Sequence, residues 1–158
     1  MVEINRSLAE IPIENLLPHR EPMILLDCLI GHEEDTTVCL STIHPGMPFF
    51  HDGRVPAHMG IELMAQTIAV HAGYPAYLER REPVVGFLLG SPKLETAEPF
   101  FEEGRVLRVE AHQVWGEAEM LQFACSLYDD GDDRQIQVAN VNIFKPKDLW
   151  RYLAEAKR

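Results

Sequence analysis

Glu62 is the residue whose setting most needs a chemical explanation. It lies in PFFHDGRVPAHMGIELMAQTIAVHAG, residues 48–73, where a loop punctuated by glycine and proline runs into a stretch that is apolar nearly all round. His58, Glu62 and Gln66 recur at i, i+4 and i+8, so on a helix they form one polar stripe. A carboxyl on an apolar helix must be hydrogen-bonded, paired or held neutral, because an unpaired buried charge is costly. Histidine and carboxyl together suit proton transfer: a neutral imidazole serves as base near pH 7, and a carboxyl kept partly protonated by an apolar setting serves as acid. Two histidines compete for the role of base, His51 in the loop and His58 one turn before Glu62. His58 shares a face with Glu62, where same-helix neighbours more often form a structural hydrogen-bonded pair, so His51 ranks first. Gln66 reads as an orienting or structural amide, since amides do not transfer protons at neutral pH. The competing reading makes Glu62 a carboxyl satisfied by a core hydrogen bond or an arginine, and His51 an exposed loop residue.

The elements that must position these groups are legible in outline. Ala57 to Ala72 holds no proline and reads as one long helix buried on most sides. Gly73 reads as its C-cap and Pro75 as a stop, with a short second helical piece over Ala76 to Arg81. Upstream, Pro12 opens a helical turn running to Leu17. Met23 to Ile30 and Thr36 to Ile43 read as a strand pair across the GHEED turn, and His44 to Pro48 as a loop. Downstream, strand-like runs begin at Val84: VVGFLLG, RVLRVEAHQVW, EMLQFACSLY and QIQVANVNIF, divided by turns at Gly104, Gly116 and DDGDD. The order is ββ, long helix, ββββ. An antiparallel sheet wrapped around the helix buries it most simply, an α+β architecture. The DLWRYLAEAKR tail predicts a C-terminal helix docked through Leu149, Trp150 and Leu153.

Composition narrows the classes. A chain of 158 residues suits a single domain, 1–158, able to bury a core without disulfides. Cys28, Cys39 and Cys125 show no C-x-x-C spacing and fit free thiols in a reducing cytoplasm. A formal net charge of −11 without clustered Lys and Arg argues against a nucleic-acid partner. No leader-like segment and no membrane-length apolar run is found, so the expectation is a soluble, cytoplasmic protein without a membrane partner. His44, His51, Asp52 and His58 are ligand types for zinc or iron, but their spacings match no compact ligand motif, and no metal is expected.

The pattern PFF, histidine, a proline before the helix and then E-x-x-A-Q resembles the 3-hydroxyacyl-acyl-carrier-protein dehydratases of fatty-acid synthesis. Pro48, Phe49, Phe50, Pro56, Glu62, Ala65 and Gln66 carry that likeness. PHREPMILLD is similar to the family's N-terminal PHR-x-P-x-L-L-x-D, and GFLLGSPKLETAEPFFEEG to a strand and turn of the same family, so the likeness covers about residues 15–145. PAHMGIELMAQ also resembles the dehydratases of aryl polyene and related polyketide-like lipid pathways. The resemblance implies a hotdog fold and elimination of water from a 3-hydroxyacyl thioester without a cofactor. It implies a dimer in which His51 of one subunit is the base and Glu62 of the other the acid, with the Met59 and Gly60 N–H groups near the thioester oxygen. The implied partners are an acyl carrier protein bearing a phosphopantetheine-linked acyl chain and a second subunit, identical or related. Docking an acidic carrier would draw on Arg20, Arg54, Lys93 or Arg105. His51 stands eleven residues before Glu62, a shorter loop than the family's, and the H-F-P signature is absent. A silent subunit that pairs with an active dehydratase, and an acyl thioesterase, are the alternatives.

Overall fold

The computed structural model describes residues 2–83 and 85–157, so the predicted strand start at Val84 lies outside the described residues. The apolar run folds as helix α1, Met59–Leu78. Leu63, Met64, Ile68 and Val70 are all buried, and at about 100° per residue they span well over a third of the circumference, so α1 is a core element. Its limits differ from the predicted Ala57–Ala72. The Ala57 N–H donates to the Pro99 carbonyl and Arg54–Pro56 pairs as a short strand, which holds the chain extended until His58. At the other end Gly73 is no cap: a Cβ there would lie 2.0 Å from the Leu16 carbonyl oxygen, so glycine lets the helix abut that backbone. Pro75 removes one helical N–H bond, yet α1 continues past it with Ala76 buried. The predicted second piece, Ala76 to Arg81, is therefore the last turn of α1 and its exit.

Among the described residues eight strands accompany α1: β1 (Cys28–His32), β2 (Thr36–Thr42), β3 (Arg54–Pro56), β4 (Phe87–Thr96), β5 (Phe100–Glu102), β6 (Val106–Glu117), β7 (Met120–Asp129) and β8 (Gln135–Phe144). Six form an antiparallel sheet in the order β1-β2-β6-β7-β8-β4, and β3 pairs with β5. Alternate residues Leu107, Val109 and Ala111 on β6, and Phe123, Cys125 and Leu127 on β7, are buried in one core cluster with Leu63, Met64 and Ile68 of α1. The period-two pattern thus turns one face of the sheet onto the helix. Each fully buried Leu or Phe contributes about 1.5–3 kcal/mol. β4 is an outer strand with no buried residue and register irregularities around Gly90.

The predicted strand Met23 to Ile30 shortens to Cys28–His32, for a reason that matters to the site. The Leu25 N–H and the Met23 carbonyl bond to the Gln66 side chain on α1 instead of to a neighbouring strand. Pro12 does open a short 3-10 turn, Ile13–Asn15. The tail forms α2, Leu149–Ala156, capped by Asp148, whose side chain accepts from the Arg151 N–H at 3.0 Å. Its docking differs from expectation: Trp150 is 80% exposed, and Tyr152 makes the contact, packing on Phe87 and Phe144.

Candidate active site

A cavity of about 380 Å³ runs between α1 and the inner sides of β4, β7 and β8. The helical wall holds Glu62, Ala65, Ala69 and Ala72 on one face, with Ile68, His71 and Pro75 beside them. Small side chains there leave room that a regular leucine stripe would fill. Leu121, Phe123 and Ile143 form the apolar wall opposite, and Pro18 and His19 also line the cavity.

Glu62 is held at this cavity with its side chain 31% exposed. Its Oε1 accepts a hydrogen bond from Gln66 Nε2 at 3.1 Å. Gln66 is fully buried; its Nε2 also donates to the Met23 carbonyl at 2.6 Å, and its Oε1 accepts from the Leu25 N–H at 2.9 Å. One amide therefore ties the carboxyl and the Met23–Leu25 backbone to the same helix turn. His19, from the PHREP segment, brings its Nε2 to 3.8 Å from Glu62 Oε1. Arg20 Nη1 donates to the Leu17 and His19 carbonyls at 3.1 and 2.7 Å, tying down the backbone that carries His19. Sequence reasoning missed His19. The signal was present, since a polar stripe on a buried helix needs polar partners and PHREP is the polar segment leading into Met23–Leu25.

His51 lies elsewhere. Its side chain is 87% exposed, with Nε2 3.4 Å from Asp52 Oδ2, and it does not line the cavity of its own chain. Paired backbone bonds with Arg54 close a tight turn there, with Asp52 and Gly53 at positive φ. His58 occupies the N-cap position without a side-chain capping bond. Its ring meets Phe49 edge-on at 6.0 Å, and no hydrogen bond to Glu62 is found among the described residues, so the predicted structural pair does not form. The Gly60 N–H donates to the Ala57 carbonyl at 2.9 Å, an oxygen that also accepts from Gln137 Nε2 at 2.8 Å. Of the two predicted N–H donors, Gly60 is therefore engaged. Glycine is required there, because a Cβ would fall 1.7 Å from Gln137 Oε1.

His71, unassigned by the sequence, also lines the cavity. Its Nδ1 is 2.7 Å from Thr37 Oγ1, which is 2.9 Å from His32 Nδ1. Thr37 is fully buried, and its single hydroxyl proton serves one imidazole while its oxygen accepts from the other. Burial pushes the His71 imidazole down to about 4, with His32 adding to the effect, and burial also lowers His32. Both are neutral near pH 7. Burial raises the Cys39 and Cys125 thiols, which sit in the core as small apolar groups.

Among the described residues no group of three or more His, Cys, Asp or Glu side chains could hold a metal ion. Each residue considered for a basic docking patch is engaged locally. Arg20 is on carbonyls, Arg54 over the Phe100 ring, Lys93 on Glu95, and Arg105 between Glu98 and Asp129. Among the described residues no helix is long and apolar enough to cross a membrane.

A long helix wrapped by an antiparallel sheet is the hotdog fold. Residues 11–154 match the family described as ApeP dehydratase, and the chain belongs to this ApeP-like family. The dehydratase heterocomplex ApeI:P from Xenorhabdus doucetiae superimposes with a TM-score of 0.83 at 24% identity, covering 94% of this chain and 99% of the other. A hypothetical thioesterase with coenzyme A from Streptococcus pneumoniae gives 0.58 at 11% identity, over 75% of this chain and 84% of the other. The 3-hydroxyacyl-acyl-carrier-protein dehydratase FabZ of Streptococcus pneumoniae is 38% identical over 63 residues, 37% of this chain. The chain spans 45% of the length of that relative.

Proposed function

We propose that the chain acts on 3-hydroxyacyl thioesters as a dehydratase subunit, with Glu62 as the acid. The observation that carries this is the Glu62–Gln66 pair fixed at the cavity between α1 and the sheet. A base removes the C2 proton, the C2–C3 double bond forms, and the C3–O bond breaks as the Glu62 carboxyl supplies the proton that turns the leaving hydroxyl into water. The Met59 N–H at the start of α1 is the remaining backbone candidate for polarising the thioester oxygen.

The base is His51 from a second subunit. Its high exposure and its place outside its own chain's cavity suit a group that works on a neighbour. β4, an outer strand with no buried residue, is the edge for pairing two hotdog units. The second subunit is another copy or a related chain, by analogy with the ApeI:P heterocomplex, and an acyl carrier protein delivers the substrate. A silent-subunit reading is favoured by one observation: the loop before α1 is short, with His51 only eleven residues before Glu62. The test assays dehydration of 3-hydroxyacyl-carrier-protein thioesters by the chain alone and mixed with a related dehydratase. The expected result is turnover that Glu62→Gln and His51→Ala each lower by about 10²–10⁴-fold without unfolding. Full activity of both variants would refute the assignment, and activity only in the mixture, indifferent to Glu62→Gln, would establish the silent subunit.

A further inference from the structure

We infer that His19 is a positioning residue for the Glu62 carboxyl, donating from Nε2 to Oε1 so that Oε2 is the oxygen presented to the substrate; this rests on Glu62 being the acid. Three observations converge. His19 and Glu62 line the same cavity. The nitrogen nearest the carboxyl is Nε2, and the oxygen it approaches is Oε1, which already accepts from Gln66. His19 Nδ1 is buried and has no hydrogen-bond partner among the described residues.

The orphaned Nδ1 sets the tautomer. A neutral imidazole carries one N–H, and a buried N–H without an acceptor is rarer than a bare lone pair. The proton therefore sits on Nε2, which faces Glu62. The 3.8 Å separation is about 0.9 Å longer than a usual N–H···O bond, a gap that a small side-chain rotation closes. With Gln66 and His19 both on Oε1, the transferable proton resides on Oε2. Arg20 on the Leu17 and His19 carbonyls fixes the backbone from which the imidazole projects.

The substitutions His19→Gln and His19→Asn separate positioning from filling or catalysis, because a glutamine amide places its N–H near the Nε2 position and an asparagine amide near Nδ1. His19→Phe fills the space with no donor. The readout is the carbon-13 shift of the Glu62 carboxyl through a pH titration of the assembled protein, which needs no turnover, alongside the pH profile of kcat/KM. His71, Arg81 and Lys145, the other ionisable groups on the cavity, are constant across the series. A donor on the carboxylate stabilises its charged form. In the Asn and Phe variants the midpoint should therefore rise by about half to one pH unit, and the alkaline limb, where the acid loses its proton, should move up with it. Activity in these two should fall about tenfold or more, while the Gln variant stays near wild type. Coincident titrations in all variants would overturn the inference. So would a Gln variant as inactive as the Asn variant, which would make His19 a proton carrier. Failure of the dehydratase reading shows separately, as wild-type protein indifferent to Glu62→Gln.

Discussion

Replacing Gln66 by leucine, of similar size, tests how the site is held. The wild-type amide satisfies a buried backbone N–H at Leu25 and the carbonyl of Met23, and donates to Glu62. Leucine leaves the first two groups without partners where Gln66 is fully buried, and an orphaned buried polar group costs about 1–3 kcal/mol. Leucine also recovers some hydrophobic burial, about 1 kcal/mol by area. The net loss is about 1–5 kcal/mol, which for a chain of 158 residues corresponds to a fall in Tm of about 2–20 °C. Urea denaturation followed by circular dichroism should show a lower midpoint at unchanged m-value, and turnover should fall further than stability explains, because Glu62 loses its fixed orientation. An unchanged midpoint would refute the account and mean that water, or a shifted Met23–Leu25 backbone, satisfies those groups equally well.

Gly60→Ala should destabilise by about 1–3 kcal/mol, read by denaturant melts, because its methyl meets Gln137 Oε1 at 1.7 Å; Gln137→Ala in the same chain should relieve the clash. Gly73→Ala should cost at least as much and have no such suppressor, since the obstacle is the Leu16 carbonyl at 2.0 Å. His71 titrates at about 4 in the folded chain against an ordinary value of 6.5, so between these values the unfolded chain binds more protons. The His71 contribution to stability is then complete above pH 6.5 and declines as pH falls toward 4. Thermal melts across that window should show a falling Tm, and His71→Phe should flatten the decline.

The buried helix, the six strands of the main sheet and the Glu62–Gln66 stripe were legible because they rest on periodicity and on the cost of burying charge, which are local properties of the chain; the short strands β3 and β5 carry no such pattern and were not read. The limits of α1 were not. Gly73 and Pro75 carry strong local stop signals, but the reason for a glycine at 73 is its close approach to the Leu16 carbonyl, more than fifty residues away in the sequence. The strand predicted from Met23 was likewise overruled from a distance, by the amide of Gln66. His19 was hidden for the same reason: nothing within PHREP says that it lies across from Glu62. His71 went unassigned because its partner Thr37, whose hydroxyl also meets His32, lies on a strand more than thirty residues away in the sequence.

The alanines at 65, 69 and 72 make α1 a ruler as well as a scaffold. Glu62 stands at one end of the row and Ala72 about 15 Å further along the axis. Each alanine is a graduation at which a larger side chain would close the channel at a different depth. Glu62 and its bond to Gln66 are not part of that row, so the depth of the cavity can be altered one side chain at a time with the carboxyl left in place. The opposite wall shares Phe123 and Ile143 with the core, so depth is set more freely from the helix than from the sheet.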